Sequence, residues 1–184
     1  MNRAQLFVRD ARPEDACDLQ RIWLDFAVEV KGHRQQTTID SIERSVIRLE
    51  TEPSERLIVA VADHEVVGVA HLRRAPVSPI HDDDAVHVSY LHVLSGHRRR
   101  GAGKLLLEAA ADWADAKDSG HVVASVAANA RDANRFLARL GLAQVAVVRA
   151  VTVSTLRCKL GTAGKRSTNL IATRRLMRRA RNTV

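Results

Sequence analysis

The sequence predicts a mixed α/β (α+β) domain built on a central, mostly antiparallel sheet flanked by helices. Three observations carry that expectation. Three β-rich runs follow one another in mid-chain, RLIVAVADHE (56–65), EVVGVAHLRRA (65–75) and AVHVSYLHVL (85–94), and a short polar turn around Asp63 to Glu65 joins the first two as in an antiparallel meander. Segments with apolar residues at helical spacing lie on both sides of these runs, and the later strand–helix–strand order adds parallel neighbours. Hydrophobic residues make up 46% of the chain and aromatics only 3%, so the core must come mainly from Val, Leu, Ile and Ala.

In chain order, LFVRDA (6–11) has strand character. RPEDACDLQRIWLDFAVEV (12–30) follows with Pro13 suited to a first helical turn and an apolar stripe of Ala16, Leu19, Ile22, Trp23, Phe26 and Val30. A second helix is expected over 41–51, started by Asp40 with Glu43 three residues on and striped by Ile42, Val46 and Leu49. After the three β-rich runs, Leu105, Leu106, Ala109, Ala110 and Trp113 mark a helix that stops near Ser119-Gly120. HVVASVAA (121–128) reads as a strand, and ARDANRFLARLG (130–141) as a helix closed by Gly141. AQVAVVRAVTVSTLRCKL (143–160) is expected to add one or two last strands. The domain is therefore placed at residues 1–160, with a basic tail over 161–184.

At 184 residues the chain has room for one domain of the usual size, about 100–200 residues, and an appendage. The net charge of +8 is unevenly placed: Arg157 to Val184 holds nine Lys/Arg and no acid, which leaves 20 basic and 21 acidic residues before it. The body is thus nearly neutral, and nucleic acid is not the expected partner. The tail is read as an appendage that docks on its own domain or stays flexible, with nucleic-acid or membrane-surface binding as the alternative. Cys17 and Cys158 lack C-x-x-C spacing and are read as buried free thiols. No signal-peptide h-region and no apolar run of roughly 18 residues is present, so the expected location is cytoplasmic, with no membrane partner. A homodimer stays open.

SGHRRRGAGKLLLEAAADWA (95–114) sets three arginines before Gly-Ala-Gly at the start of a helix. A helix N-terminus exposes unpaired N–H groups and the positive end of the helix dipole, so an anion is stabilised there. Glycine lets a bulky diphosphate approach at Gly101 and Gly103, and Arg98, Arg99 and Arg100 can add paired contacts. A Walker A loop aligned on Gly103-Lys104 would need Gly at Arg98 and Ser or Thr at Leu105, and a dinucleotide fingerprint would need a small residue at Leu106. Neither fits.

Arg98-Arg99-Arg100-Gly101-Ala102-Gly103 does fit R-x-x-G-x-G, between the strand YLHVL and the helix KLLLEAA, and resembles the acetyl-CoA signature of the GNAT N-acetyltransferases. NARDANRFLARLGL (129–142) resembles that family's downstream motif, and the resemblance extends over about residues 5 to 160. It implies a GNAT-like sheet splayed at a cofactor cleft, often at a bulge, with pantetheine pairing on the exposed strand as an added strand does. By the same resemblance, backbone atoms of Leu91, His92 and Val93 meet pantetheine and the thioester. Arg98, Arg99, Arg100, Gly101, Ala102, Gly103 and Lys104 hold the diphosphate, and Asn129 and Asn134 contact the cofactor from the other side.

The family's reaction is direct attack of a neutral amine on acetyl-CoA, which needs positioning, a base and oxyanion donors. His87 falls where some members carry a basic carboxylate, so it is a candidate base, or else a packing or surface histidine. The tyrosine that usually serves as general acid is replaced by Leu137, which cannot protonate anything. Tyr90, the only tyrosine, is read as a core residue facing opposite to Leu91, or alternatively as the substitute acid. Asp82, Asp83 and Asp84 are either a solvated turn or an attraction for a cationic acceptor. No metal-ligand spacing is present. The expected activity is acetyl transfer to a primary amine of a small molecule or protein, and the alternative is a CoA-binding sensor that has lost efficient chemistry.

Overall fold

The computed structural model describes residues 6–29, 37–78, 80 and 83–161. They fall into two units, one ending at Ala143 and the other beginning at Gln144. The first unit holds strands β1 (Leu6–Asp10), β2 (Glu55–Ala62), β3 (Glu65–Pro76), β4 (Asp84–Val93) and β5 (His121–Ala124) and helices α1 (Ala16–Glu29), α2 (Ile39–Glu50), α3 (Ala102–Asp115) and α4 (Arg131–Arg139). The sheet runs β1-β2-β3-β4-β5 and is antiparallel throughout except for the parallel β4–β5 pair. This is the mixed architecture expected from the meander and the later strand–helix unit.

Alternation along the strands divides two cores between the two faces. On one face Val59, Val61, Val66 and Val69 pack against Leu19 and Ile22 of α1 and Ile42 and Val46 of α2. On the other Ile58, Ala60, Leu72, Val86 and Val88 pack against Ala102, Leu106, Ala110 and Trp113 of α3. Trp113 is the one aromatic among the buried hydrophobic residues described. Burial of small aliphatic side chains, each worth about 1.5–3 kcal/mol, therefore carries the core.

The local signals act largely as expected, with corrections. The turn into α1 is fixed by Asp15, whose carboxylate accepts the Arg12 N–H at 2.8 Å and two guanidinium N–H groups of Arg9 at 2.7 and 2.8 Å. Burial alone would raise the Asp15 pKa, but these hydrogen bonds outweigh it and hold the carboxyl below its ordinary value. The true cap of α2 is Thr38, which accepts the Ser41 N–H, so the helix begins two residues before the expected start. Gly141 closes α4 with a φ of 88°, and Leu142 donates back to the Leu137 carbonyl. Val30, expected on the α1 stripe, lies outside the described residues, as does the tail from 162.

Three expectations fail. β5 ends at Ala124 rather than running through 128, because the chain leaves the sheet there. Residues 143–152, read as strand from their Val content, form none; β-branched residues need a pairing partner, and among the described residues the sheet ends at β5. In the second unit Val153–Lys159 instead forms helix α5, capped by the Thr152 hydroxyl, which accepts the Thr155 N–H. Cys17 and Cys158 are free but exposed, not buried, Cys17 because it falls on the solvent side of α1. No helix among the described residues is long and apolar enough to cross a membrane.

Candidate active site

The site begins where two strands part. β5 pairs β4 only from Ala85 to Val88, and the Ser125 N–H makes a last bond to the Val88 carbonyl at 2.8 Å. From Ser89 to Val93, β4 has no strand on that side among the described residues. On its other side β3 pairs Val69 with His92 but His71 with Ser89, so β4 carries an extra residue, a bulge. Tyr90 sits in it with φ 53°, a left-handed conformation that costs a non-glycine residue energy and recurs at functional sites. Gly68 makes the close strand packing possible, since a Cβ there would lie 3.0 Å from the His92 carbonyl oxygen.

The parting opens a cleft of about 480 Å³, with Tyr90 to Val93 along one wall, Gly101 to Lys104 at one end, and Ala133, Arg135 and Phe136 of α4 across from them. There Gly101 caps α3 with φ 98°, which a Cβ would strain. The first intrahelical donor is Leu105, bonded to the Gly101 carbonyl, so the N–H groups of Ala102, Gly103 and Lys104 have no helix partner. Phe136 lies 3.6 Å from where a Cβ on Gly103 would stand, so this glycine also lets α3 and α4 approach. Together these features fit a diphosphate.

The basic side chains differ from the sequence expectation. Arg98 and Arg99 line the cleft, whereas Arg100 is exposed and outside its lining. Arg98 is already engaged: its Nε donates to the Val93 carbonyl at 2.9 Å and its Nη2 to Glu29 Oε2 at 2.6 Å. Lys104 pairs with Glu108 at 3.2 Å. Arg135 and Arg139 of α4 also line the cleft and were missed, although their i, i+4 spacing puts both on one helix face.

Elsewhere the lining is acidic and aromatic; of these residues the sequence offered only Tyr90, as an alternative acid, and His92, through its backbone, and it did not point to Asp25, Glu29, Trp23 or Phe26 as site residues. His92, expected to serve through its backbone, has a buried side chain whose Nε2 lies 2.8 Å from Asp25 Oδ2 and whose Nδ1 lies 3.6 Å from Glu29 Oε2. Tyr90 stacks on Trp23 and meets Phe26 edge to face, with centroids 5.2 and 5.8 Å apart. It is 41% exposed and lines the cleft, so it is not a core residue; the bulge breaks the alternation on which that reading stood.

The remaining sequence candidates stand apart. His87 sits in the paired stretch of β4, between Arg73 and Val123, outside the cleft lining, and its Nε2 is buried without a partner among the described residues. Asn129 donates to the Glu29 carbonyl at 3.3 Å, and Asn134 to the Ala127 and Ala130 carbonyls, which shapes the turn before α4. Leu137 is buried and faces away from the cleft lining, while its neighbour Phe136 faces in. Asp82 is outside the described residues, and Asp84 pairs with Arg74 at 2.7 Å, roughly 20 Å of strand before Leu91. Among the described residues no group of three or more His, Cys, Asp or Glu is placed to hold a metal ion.

The model of the acetyltransferase (GNAT) family matches residues 17–142. Among solved structures, a transcriptional regulator from Bacillus halodurans superposes with a TM-score of 0.70 at 20% identity, over 80% of this chain and 99% of that one. An aminoglycoside N-acetyltransferase solved with CoA gives 0.65 at 16% identity, over 81% and 95%. Glucosamine-6-phosphate N-acetyltransferase from Arabidopsis thaliana gives 0.65 at 14%, over 81% and 99%. At these identities the likeness is one of fold. No curated protein matches the sequence significantly.

Proposed function

The chain belongs to the GNAT acetyltransferase family, and on that premise we propose that it transfers an acetyl group from acetyl-CoA to a primary amine of a small molecule or protein. The observation that carries this reading is the β4 edge from Ser89 to Val93, left unpaired by β5 and leading to the free N–H groups at the start of α3. Acetyl-CoA, when bound, supplies an activated thioester. The amides of Ala102 to Lys104, with Arg99, Lys104, Arg135 and Arg139 around them, suit its diphosphate. The edge at Leu91 to Val93 suits pantetheine as an added strand and offers N–H donors to a developing oxyanion.

Tyr90 is our candidate for protonating the departing thiolate, because it is the hydroxyl that the bulge brings to the cleft. A thiol has a pKa of about 8.5, so the thiolate leaves readily and water can share the task. The fold relatives include enzymes named for aminoglycosides and for glucosamine-6-phosphate, both amine-bearing, which supports an amine acceptor. Two free, exposed thiols suit a reducing, cytoplasmic setting.

Calorimetric titration with acetyl-CoA, followed by thiol release over an amine panel, tests this. Saturable binding with turnover is expected, and a flat titration overturns the reading. The buried Leu137, in place of the family's tyrosine, favours one alternative, a CoA sensor. Tight binding with no turnover of any amine is the result that alternative requires.

A further inference from the structure

We propose that His92 is the general base of this reaction, accepting the acceptor's proton at Nδ1, with Asp25 as its positioning residue, and that the acceptor is a primary amine carried on a short apolar stem. The inference rests on the acyl-transfer reading above. A carboxylate only accepts hydrogen bonds, so the 2.8 Å contact with Asp25 Oδ2 puts a proton on Nε2 and leaves the Nδ1 lone pair of the neutral ring free. Nδ1 lies 3.6 Å from Glu29 Oε2, which itself accepts from Arg98 Nη2 at 2.6 Å, so the ring's second nitrogen and a carboxylate already held by Arg98 stand side by side. Glu29 and His92 line the cleft and Asp25 does not. One carboxylate thus orients the ring from behind, and the other shares the reactive side with it.

The groups around His92 are Asp25 and Glu29 from α1, the Phe26 ring in an edge-to-face contact with centroids 5.5 Å apart, Arg98 from the turn after β4, Tyr90 on the same strand and Val69 across the ladder. Arg98 balances one of the two carboxylates, since it holds Glu29 at 2.6 Å. One negative charge is left over, matched to a single ammonium that donates to Nδ1 and Glu29 together. Beside that point stand Trp23, Phe26 and Tyr90, drawn from the two Trp, three Phe and one Tyr of the whole chain. Aromatic faces next to a carboxylate suit an ammonium on an apolar stem better than a polycation, which would need more anions.

The protons balance as follows. The ammonium passes one proton to Nδ1, the freed lone pair bonds to the thioester carbonyl carbon, and the tetrahedral adduct expels thiolate as the C–S bond breaks. The second nitrogen proton ends on the thiolate, through Tyr90 or water, and His92 returns its proton to solvent, for a net release of one.

The test uses the full chain with 15N-labelled histidine, and 2-phenylethylamine and spermidine as probes. Long-range 1H–15N spectra should show neutral His92 as the Nε2–H tautomer in the wild type, and an Nδ1–H tautomer overturns the assignment. His92→Gln should lower kcat for 2-phenylethylamine about 100-fold or more at unchanged acetyl-CoA affinity. Asp25→Asn should lower it about tenfold or more and displace the acid limb of the pH profile, which a merely structural role would leave in place. A pH profile lost in His87→Ala and kept in His92→Gln assigns the base to His87 instead. Wild-type protein that binds acetyl-CoA yet turns over spermidine faster than 2-phenylethylamine, or neither amine, refutes the acceptor class. Failure to bind acetyl-CoA refutes the underlying reading.

Discussion

Tyr90 stacks on Trp23 with ring centroids 5.2 Å apart and planes at 28°, and so couples the bulge of β4 to helix α1. The stack holds a residue whose backbone is left-handed, and ring pairs of this kind contribute about 0.5–1.5 kcal/mol beyond their burial. Tyr90→Phe keeps the ring and removes the hydroxyl. We expect unchanged stability and acetyl-CoA affinity with kcat lower by about tenfold or more, read by single-turnover thiol release. Equal kcat would assign the proton to water. Trp23→Ala should cost about 1–2 kcal/mol in urea melts and raise the acceptor KM.

Gly101→Ala tests the phosphate end without a clash, because a Cβ there meets only Leu6 Cδ2, at an ordinary 3.7 Å. The cost is conformational, about 1–2 kcal/mol for a left-handed alanine. Relaxing that strain turns the first amides of α3, so acetyl-CoA affinity falls with a small loss of melting temperature. Gly101→Glu adds a like charge and should abolish measurable binding by calorimetry while the fold persists.

Gly68→Ala acts from the opposite side of β4. Its Cβ would stand 3.0 Å from the His92 carbonyl oxygen and 3.1 Å from Val93 Cγ2, so β3 and β4 must separate at the bulge. Overpacking of this kind costs about 1–3 kcal/mol, measurable by denaturant unfolding, and turnover should fall more than acetyl-CoA binding does.

Acid should weaken the N-terminal turn. The Asp15 carboxyl is held below its ordinary pKa, so its stabilisation is complete above about pH 4 and disappears as pH falls through the lower, folded-state value. Arg9 is shifted upward by the same pairing and stays charged throughout. Asp15→Asn should lose about 1–3 kcal/mol at pH 7 and show a flatter stability profile between pH 5 and 2 by thermal melts.

The turn into α3 that lines the cleft was legible because its parts are contiguous: an arginine run, two glycines and an apolar helix follow one another, and local pattern dictates that local structure. The lining around His92 was legible only in Tyr90, offered as an alternative acid. Asp25 and Glu29 meet His92 only because α1 packs over β4, and the one-residue bulge that turns Tyr90 outward leaves no trace in a pattern of alternating residues. His87 was a candidate by its offset from the arginine motif, which the resemblance supplied; an offset says nothing of which part of β4 stays paired, and His87 lies in the stretch that β5 covers. The Val-rich run after Ala143 illustrates the opposite limit, since strand propensity has no effect without a neighbour to pair with. Arg135 and Arg139 were hidden by their number of rivals, in a chain with 29 basic residues.

The β4 overhang has a colloidal consequence as well. From Ser89 to Val93 β4 lacks a strand on its β5 side among the described residues, and such an edge is a template for an extended peptide, including one from another molecule of the same protein. A ligand that occupies this edge therefore acts as a shield against self-association. Preparations stripped of nucleotide thioester should cloud sooner on storage, and adding it back should slow the clouding and raise the melting temperature together.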